Sequence, residues 1–153
     1  MYMNDFENQF SVFLNEFGRG KQMVLSTSLN DQVTSRMMSV IQKDGNFYFQ
    51  TDKTFRKYNQ LIQNKNVALC IDNIQIEGIC TELGHPLEDS AFSTLYKECF
   101  SGSFEKYSSL GNEVLFIVTP LYVERWIYRN SVPFVETFNV VKKEYHLYEY
   151  KSV

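Results

Sequence analysis

At 153 residues the chain supplies one domain, because two units of half that length would each bury too little surface to be stable. Hydrophobic residues make up 44% and charged residues 22%, and with a mean hydropathy of -0.30 and a longest apolar run of only Val114 to Val118, a helical membrane protein is excluded. The net charge of -3 and isoelectric point near 5.4 give no general attraction for nucleic acid, so any anion site has to be local.

The first fifteen residues carry acids and no basic stretch followed by an apolar one, so neither a signal nor a transit peptide is expected and a cytoplasmic location follows. Phe6, Phe10, Phe13, Leu14 and Phe17 recur at helical spacing, and Gly18 and Gly20 end the pattern, which predicts an amphipathic opening helix. Beyond Lys21 the texture changes to short runs rich in Val, Ile, Phe, Tyr and Thr. Five strands are predicted, over residues 22–28, 33–43, 46–51, 67–71 and 74–83. Asp44-Gly45 is a strong hairpin signal because a type I′ turn needs positive φ at both central residues, and residues 29–32 and Asp72-Asn73 mark two further turns.

A helix over residues 54–63, with Tyr58, Leu61 and Ile62 as its buried stripe, joins the third strand to the fourth. Pro86 opens a second helix over 87–100, in which Ala91, Phe92, Leu95, Tyr96 and Cys99 keep the period. Residues 101–112 are polar and contain glycine, and read as a loop. Residues 113–128 form one long strand that Pro120 must break, edge or bulge, and 134–150 form a further strand pair. No repeat, linker or low-complexity block interrupts this order, so residues 1–153 make a single α+β domain, mainly β, built on an antiparallel sheet. The number of strands favours closure into a barrel, which removes edges.

Cys70, Cys80 and Cys99 lack metal-ligand spacing and read as small buried hydrophobes. His85 and His146 stand at no spacing that pairs them with a cysteine or carboxylate, so no metal is expected. The informative stretch is Thr34-Ser35-Arg36-Met37-Met38-Ser39-Val40, then Phe47-Tyr48-Phe49-Gln50-Thr51, then Asp52-Lys53-Thr54-Phe55-Arg56-Lys57. A tight hairpin joins the strand of Arg36 to the strand that ends at Thr51, and Arg56 and Lys57 open the following helix. A helix start offers free N–H groups and a positive dipole end, Arg a forked donor and Lys a point charge, which together suit a phosphate monoester. The alternative reading is a solvated helix face made by Lys53, Arg56 and Lys57, with Arg36 pointing outward.

Arg36-Met37-Met38, the hairpin, Thr51 and Arg56-Lys57 in this order resemble the FMN phosphate-binding pattern of the pyridoxamine 5′-phosphate oxidase-like family. Pro120-Leu121-Tyr122-Val123-Glu124-Arg125-Trp126 is similar to the family's proline-to-tryptophan strand, and Gly78 falls where a strand glycine is usual. The resemblance spans Val24 to Trp126 and implies an antiparallel split β-barrel, the FMN-binding split barrel, with flanking helices. It implies FMN as cofactor, with Arg36, Arg56 and Lys57 on the phosphate and Thr51 helping. Met37, Met38 and Ser39 would run beside the flavin ring and Gln50 would line the site. Asn73 and Gln75 would reach the ring from a partner subunit, and Trp126 would be either a pocket wall or a core aromatic.

Two departures set this chain apart from the oxidases that act on pyridoxine phosphate. Nothing after Trp126 matches their Arg-x-His-Asp-Arg segment, and Ile41 stands where they carry a lysine. Three functions follow from the resemblance: a flavin-dependent oxidoreductase acting on a small-molecule redox substrate with NAD(P)H as a candidate donor, a non-catalytic and stress-related FMN carrier, or a relative that binds heme or a deazaflavin. A homodimer is expected as well, because Val114, Phe116 and Val118 on one strand face and Leu115 and Ile117 on the other make both faces apolar. Cover from the helices at Phe6 and Leu87 is the competing account.

Overall fold

A computed structural model describes residues 5–152; the first four positions of the N-terminal reading and Val153 lie outside the described residues. The chain runs α1 (Asp5–Phe17), β1 (Gly20–Leu29), β2 (Gln32–Lys43), β3 (Asn46–Asp52), α2 (Arg56–Gln63), β4 (Asn66–Ile71), β5 (Ile74–Gly84), a 3-10 turn (Pro86–Glu88), α3 (Ser90–Cys99), α4 (Ser101–Tyr107), β6 (Glu113–Arg129), β7 (Val132–Asn139) and β8 (Glu144–Glu149). All neighbouring strands are antiparallel, in the order β3-β2-β1-β4-β5-β6-β7-β8. An additional β3–β6 pairing, Phe47↔Val118 to Asp52↔Glu113, closes the first six into a barrel and leaves β7 and β8 as a ribbon on the extension of β6.

Local chemistry sets these turns. Asn30 and Asp31, Asp44 and Gly45, and Asn130 and Ser131 all have positive φ, the backbone that two-residue I′ hairpins require. Pro120 is accommodated by a bulge: Gly78 pairs with Pro120 while Glu77 pairs with Tyr122, so Leu121 is the extra residue. Gly78 permits the close approach, since a Cβ there would lie 2.7 Å from both the Thr119 carbonyl oxygen and Val118 Cγ1.

The barrel interior holds Met23, Leu25, Val40, Phe47, Phe49, Leu69, Ile76 and the β6 residues Val114, Phe116 and Val118. Helix α1 adds Phe6, Phe13 and Phe17 to the same core, Phe13 against Phe138 of β7 and Phe17 edge-on to Phe47. Arg125 donates to Glu136 and to Glu16 of α1, while Tyr145 of β8 donates to the second Glu136 oxygen at 2.7 Å, so the buried Glu136 carboxylate ties β6, β7 and β8 together and Arg125 extends the link to α1. Among the described residues no helix is long and apolar enough to cross a membrane.

Four expectations are corrected. Residues 101–107 are helical rather than loop: Phe104 packs with Leu95 and Phe100 against a second cluster of Ile41, Phe92, Tyr96 and Leu115, and that packing outweighs the poor helix propensity of Ser101, Gly102 and Ser103. The helix expected from residue 87 starts later, at Ser90, because Asp89 accepts from the Phe92 amide as its N-cap after a separate 3-10 turn. Ile62 is 49% exposed, while Gln60 takes the buried position beside Leu61. Of the cysteines only Cys80 is buried, since Cys70 and Cys99 lie on outward faces. The second cluster also gives Leu115 its cover within one chain, so the outward apolar face of β6 does not itself demand a partner.

Candidate functional site

Strands β2 and β3 pair only through Ile41↔Tyr48, Gln42↔Phe47 and Lys43↔Asn46. Beyond that ladder their paired register ends, and the facing edges of Arg36–Val40 and Phe49–Asp52 border a slot. Backbone groups along an unpaired strand edge are free to meet a ligand. At the head of the slot a turn leads into α2, held by Asp52 Oδ1, which accepts from the Thr54 amide and hydroxyl at 2.7 Å each. Those two bonds hold the Asp52 carboxyl below its usual range. Phe55 occupies the N-cap of α2 and has no side-chain acceptor to give it, which leaves the first N–H groups of the helix for another partner.

Arg36, Arg56 and Lys57 converge on one pocket of about 490 Å³, lined also by Thr34, Ser35 and Phe55. The structure thus brings together the three cations singled out from the sequence, and Arg36 points toward α2 rather than outward. Its guanidinium is half-buried and donates to the Leu25 carbonyl, Thr27, Thr34 and Gln60 at 2.7–3.1 Å. Gln60 is the buried acceptor that fixes α2 to β1 and β2. Burial, then the neighbouring Arg56 charge, lowers the Arg36 pKa; burial, then Arg36, lowers that of Lys57, with Glu113 and Asp52 opposing. The Lys57 ammonium lies 4.8 Å from the centre of the Phe55 ring.

Phe55 and Lys57 also line a second cavity of about 290 Å³, with Gln50, Thr51, Asp52, Tyr96, Tyr107 and Glu113. Gln50 Nε2 donates to Glu113 at 3.1 Å, and Ser108 donates to the Gln50 carbonyl oxygen at 2.8 Å. Glu113 is buried; burial first, then the Asp52 charge, pushes its pKa up, against Gln50, Lys57 and His85. The Thr51 hydroxyl is buried with no partner among the described residues.

The remaining predicted residues divide. Met38 faces the core, while Met37 is 60% exposed on the outer face of β2. Asn73, Gln75 and Trp126 line neither cavity: Asn73 Nδ2 donates to the Trp126 carbonyl at 2.8 Å and Trp126 packs beside Tyr128 and Tyr150, while Gln75 donates to Glu77. Glu113, Gln60, Ser108 and Tyr96 were not singled out from the sequence. Only the alternation of β6, which puts Glu113 on the same face as the covered Leu115, signals that a carboxylate would be buried there.

No protein-family model matches the sequence, and no curated protein matches it. Solved structures do share its fold. A pyridoxamine 5′-phosphate oxidase-related, FMN-binding protein from Nostoc punctiforme aligns over 99% of this chain and 100% of its own, with a TM-score of 0.63 at 15% identity. General Stress Protein 26 from Bacillus anthracis aligns over 79% of this chain and 92% of its own, with a TM-score of 0.58 at 23% identity. HutZ, the heme storage protein from Vibrio cholerae, covers 78% of this chain and 91% of its own, with a TM-score of 0.58 at 14% identity. The chain therefore has the split-barrel fold of the pyridoxamine 5′-phosphate oxidase-related proteins, with flanking helices.

Proposed function

We propose that the protein is an FMN-binding flavoprotein working as a flavin-dependent oxidoreductase, with the FMN phosphate held at the head of α2. The observation that supports this reading is the convergence of Arg36, Arg56 and Lys57 on one pocket where β2 and β3 part. Cations whose charges are disfavoured by burial and by one another gain from a dianionic phosphate, and the uncapped start of α2 adds backbone donors. The residues present fit the group: Lys57 and Arg56 carry the direct contacts, and Arg36, most of whose N–H groups already serve Thr27, Thr34 and Gln60, contributes mainly charge. Thr51 and Gln50 stand at the edge of β3, and Met37, Met38 and Ser39 give the β2 edge that borders the ring. FMN when bound supplies the redox chemistry; the chain's part is to hold, orient and shield it.

Oxidation of pyridoxine phosphate is not part of this reading. Ile41, at the position of the oxidases' lysine, is fully buried among Phe92, Tyr96 and Leu115. Heme has less support than FMN here, because His85 is engaged with Leu110 and Leu87 and His146 is exposed on β8, so neither lines the slot. The reading includes a two-fold dimer in which Asn73, Gln75 and Trp126 of one subunit approach the slot of the other. Val33 and Met37, 70% and 60% exposed, are apolar surface that such a partner would cover.

The absorption spectrum of the purified protein, with mass identification of any released chromophore, tests the cofactor. A flavin spectrum with the mass of FMN upholds it, and a heme Soret band or a deazaflavin spectrum overturns it. Bleaching by NADH or NADPH followed by reoxidation separates the oxidoreductase from a carrier. Light scattering near the 18.0 kDa of one chain, with flavin still bound, would refute the dimer.

A further inference from the structure

Residues 101–112, from α4 to the start of β6, form the outer wall of the cavity beside the flavin slot, and they are weakly anchored. Tyr107 and Leu110 close that side of the cavity while themselves 49% and 45% exposed. Helix α4 has no fully buried side chain and starts without a side-chain cap, whereas α3 before it is fixed to the barrel by the buried Phe92 and Tyr96. Segments with few buried apolar groups open at the lowest cost, and lids over ligand sites are drawn from them. Three bonds tie the far end of this segment down: Ser108 donates to Gln50 at 2.8 Å, the Lys53 amide to the Asn112 carbonyl at 2.9 Å, and His85 meets the Leu110 carbonyl at 2.9 Å.

His85 stands on the fixed side of this arrangement. It follows β5 directly, the adjoining Pro86 is buried, and Ser93 of α3 donates to the Pro86 carbonyl at 2.8 Å. The Leu87 amide donates to Nδ1 at 3.2 Å, so the neutral ring carries its proton on Nε2 and donates it to Leu110. One imidazole thus joins the point where the chain leaves β5 to the point, 25 positions on, where it is about to enter β6. Between them Phe100, with φ -138 and ψ 57, ends α3 and begins α4, a break in the helical path. We propose that residues 101–112 are a flap over the flavin slot, hinged at Phe100, and that His85 is the latch whose bond to Leu110 sets how often the flap opens. The proposal rests on the flavin reading for what passes beneath the flap.

Two variants separate the two bonds of the ring. His85→Asn keeps an acceptor near Nδ1 for Leu87 and loses Leu110, while His85→Gln keeps an N–H near Nε2 for Leu110. Hydrogen exchange in the flavin-free protein reads the opening at the Ser108 and Leu110 amides and at the Lys53 amide, which the flap itself covers. Exchange there is expected to rise roughly three- to tenfold in His85→Asn, the value of one neutral hydrogen bond, and to stay near the parent rate in His85→Gln, with the Leu69 and Ile76 amides of the barrel unchanged. Ser108→Ala, which frees a second tie and leaves His85 alone, should speed the same amides. Stopped-flow mixing with FMN then reads the gate. The latch is lost from free and bound protein alike, so in His85→Asn uptake and release should quicken by the same factor and leave the affinity unchanged. Parent-like exchange in His85→Asn, or exchange in His85→Gln as fast as in His85→Asn, overturns the latch. Unmoved amides in Ser108→Ala overturn the flap, and weaker FMN binding with unchanged uptake overturns the gate, because His85 would then act only on the bound state. A protein that binds no FMN removes the flavin reading, while the exchange measurements still decide the latch.

Discussion

Replacing Arg125 by methionine keeps an apolar stem of similar reach over Phe13, whose ring centre is 5.4 Å from the guanidinium, but removes the cation from Glu136. The Arg125 and Glu136 side chains are only 13% and 3% exposed, so water does little to replace the lost partner. Breaking a buried pair from one side costs about 3–5 kcal/mol. Arg125→Met is therefore expected to destabilise the fold by about 3–5 kcal/mol, apart from the bond to Glu16. Urea unfolding measures this, and the double variant with Glu136→Gln, which removes the unpaired charge, should recover most of the loss because Tyr145 keeps an acceptor. A double variant no more stable than Arg125→Met alone would refute the reasoning.

Lys57→Ala should weaken FMN binding roughly tenfold or more, the value of one charge-assisted contact, without lowering the melting temperature; unchanged FMN affinity by fluorescence titration with a lower melting temperature would return Lys57 to a structural role. Gly78→Ala should cost about 1–3 kcal/mol, because the new methyl meets the Thr119 carbonyl and Val118, and a thermal melt identical to the parent's would show that the bulge relaxes freely. The folded state raises the Glu113 pKa above its usual 4.5, so the proton is held more tightly folded than unfolded and stability is lost as pH rises through the raised value. Glu113→Gln removes that loss while Asp52, Lys57, His85 and Tyr96 remain around it, so its advantage in melting temperature should grow from pH 4 upward, and a pH-independent difference would count against it.

The barrel was legible where the chain carries its own punctuation. Asp44-Gly45 specifies its turn by backbone conformation alone, and Pro120 announces the bulge that Gly78 accepts from across the sheet. What the sequence concealed depends on partners distant in the chain. Ile62 and Gln60 are both compatible with the α2 period, and only Thr27, Thr34 and Arg36, two strands away, make glutamine the buried one. The same holds for α4, whose serines and glycine read as loop until Phe104 finds the cluster beneath it. The cations were legible because Arg36, Arg56 and Lys57 sit at the ends of elements that a hairpin and a turn must bring together. Glu113 was not, since a glutamate that opens a strand looks solvated unless the opposing Gln50 and the overlying Ser108 are known.

The ladder between β2 and β3 is the shortest in the barrel, and its brevity has a kinetic side. Local opening proceeds most easily where the fewest rungs must break, so the cylinder should unzip along this line before any other, with amides beside it exchanging fastest among the barrel strands. A molecule lodged between the parted edges contacts them only while the cylinder is shut. Each such molecule therefore acts as a clasp, adding its binding free energy to the work of opening, and proteolytic resistance along β2 and β3 becomes a readout of occupancy independent of colour or turnover.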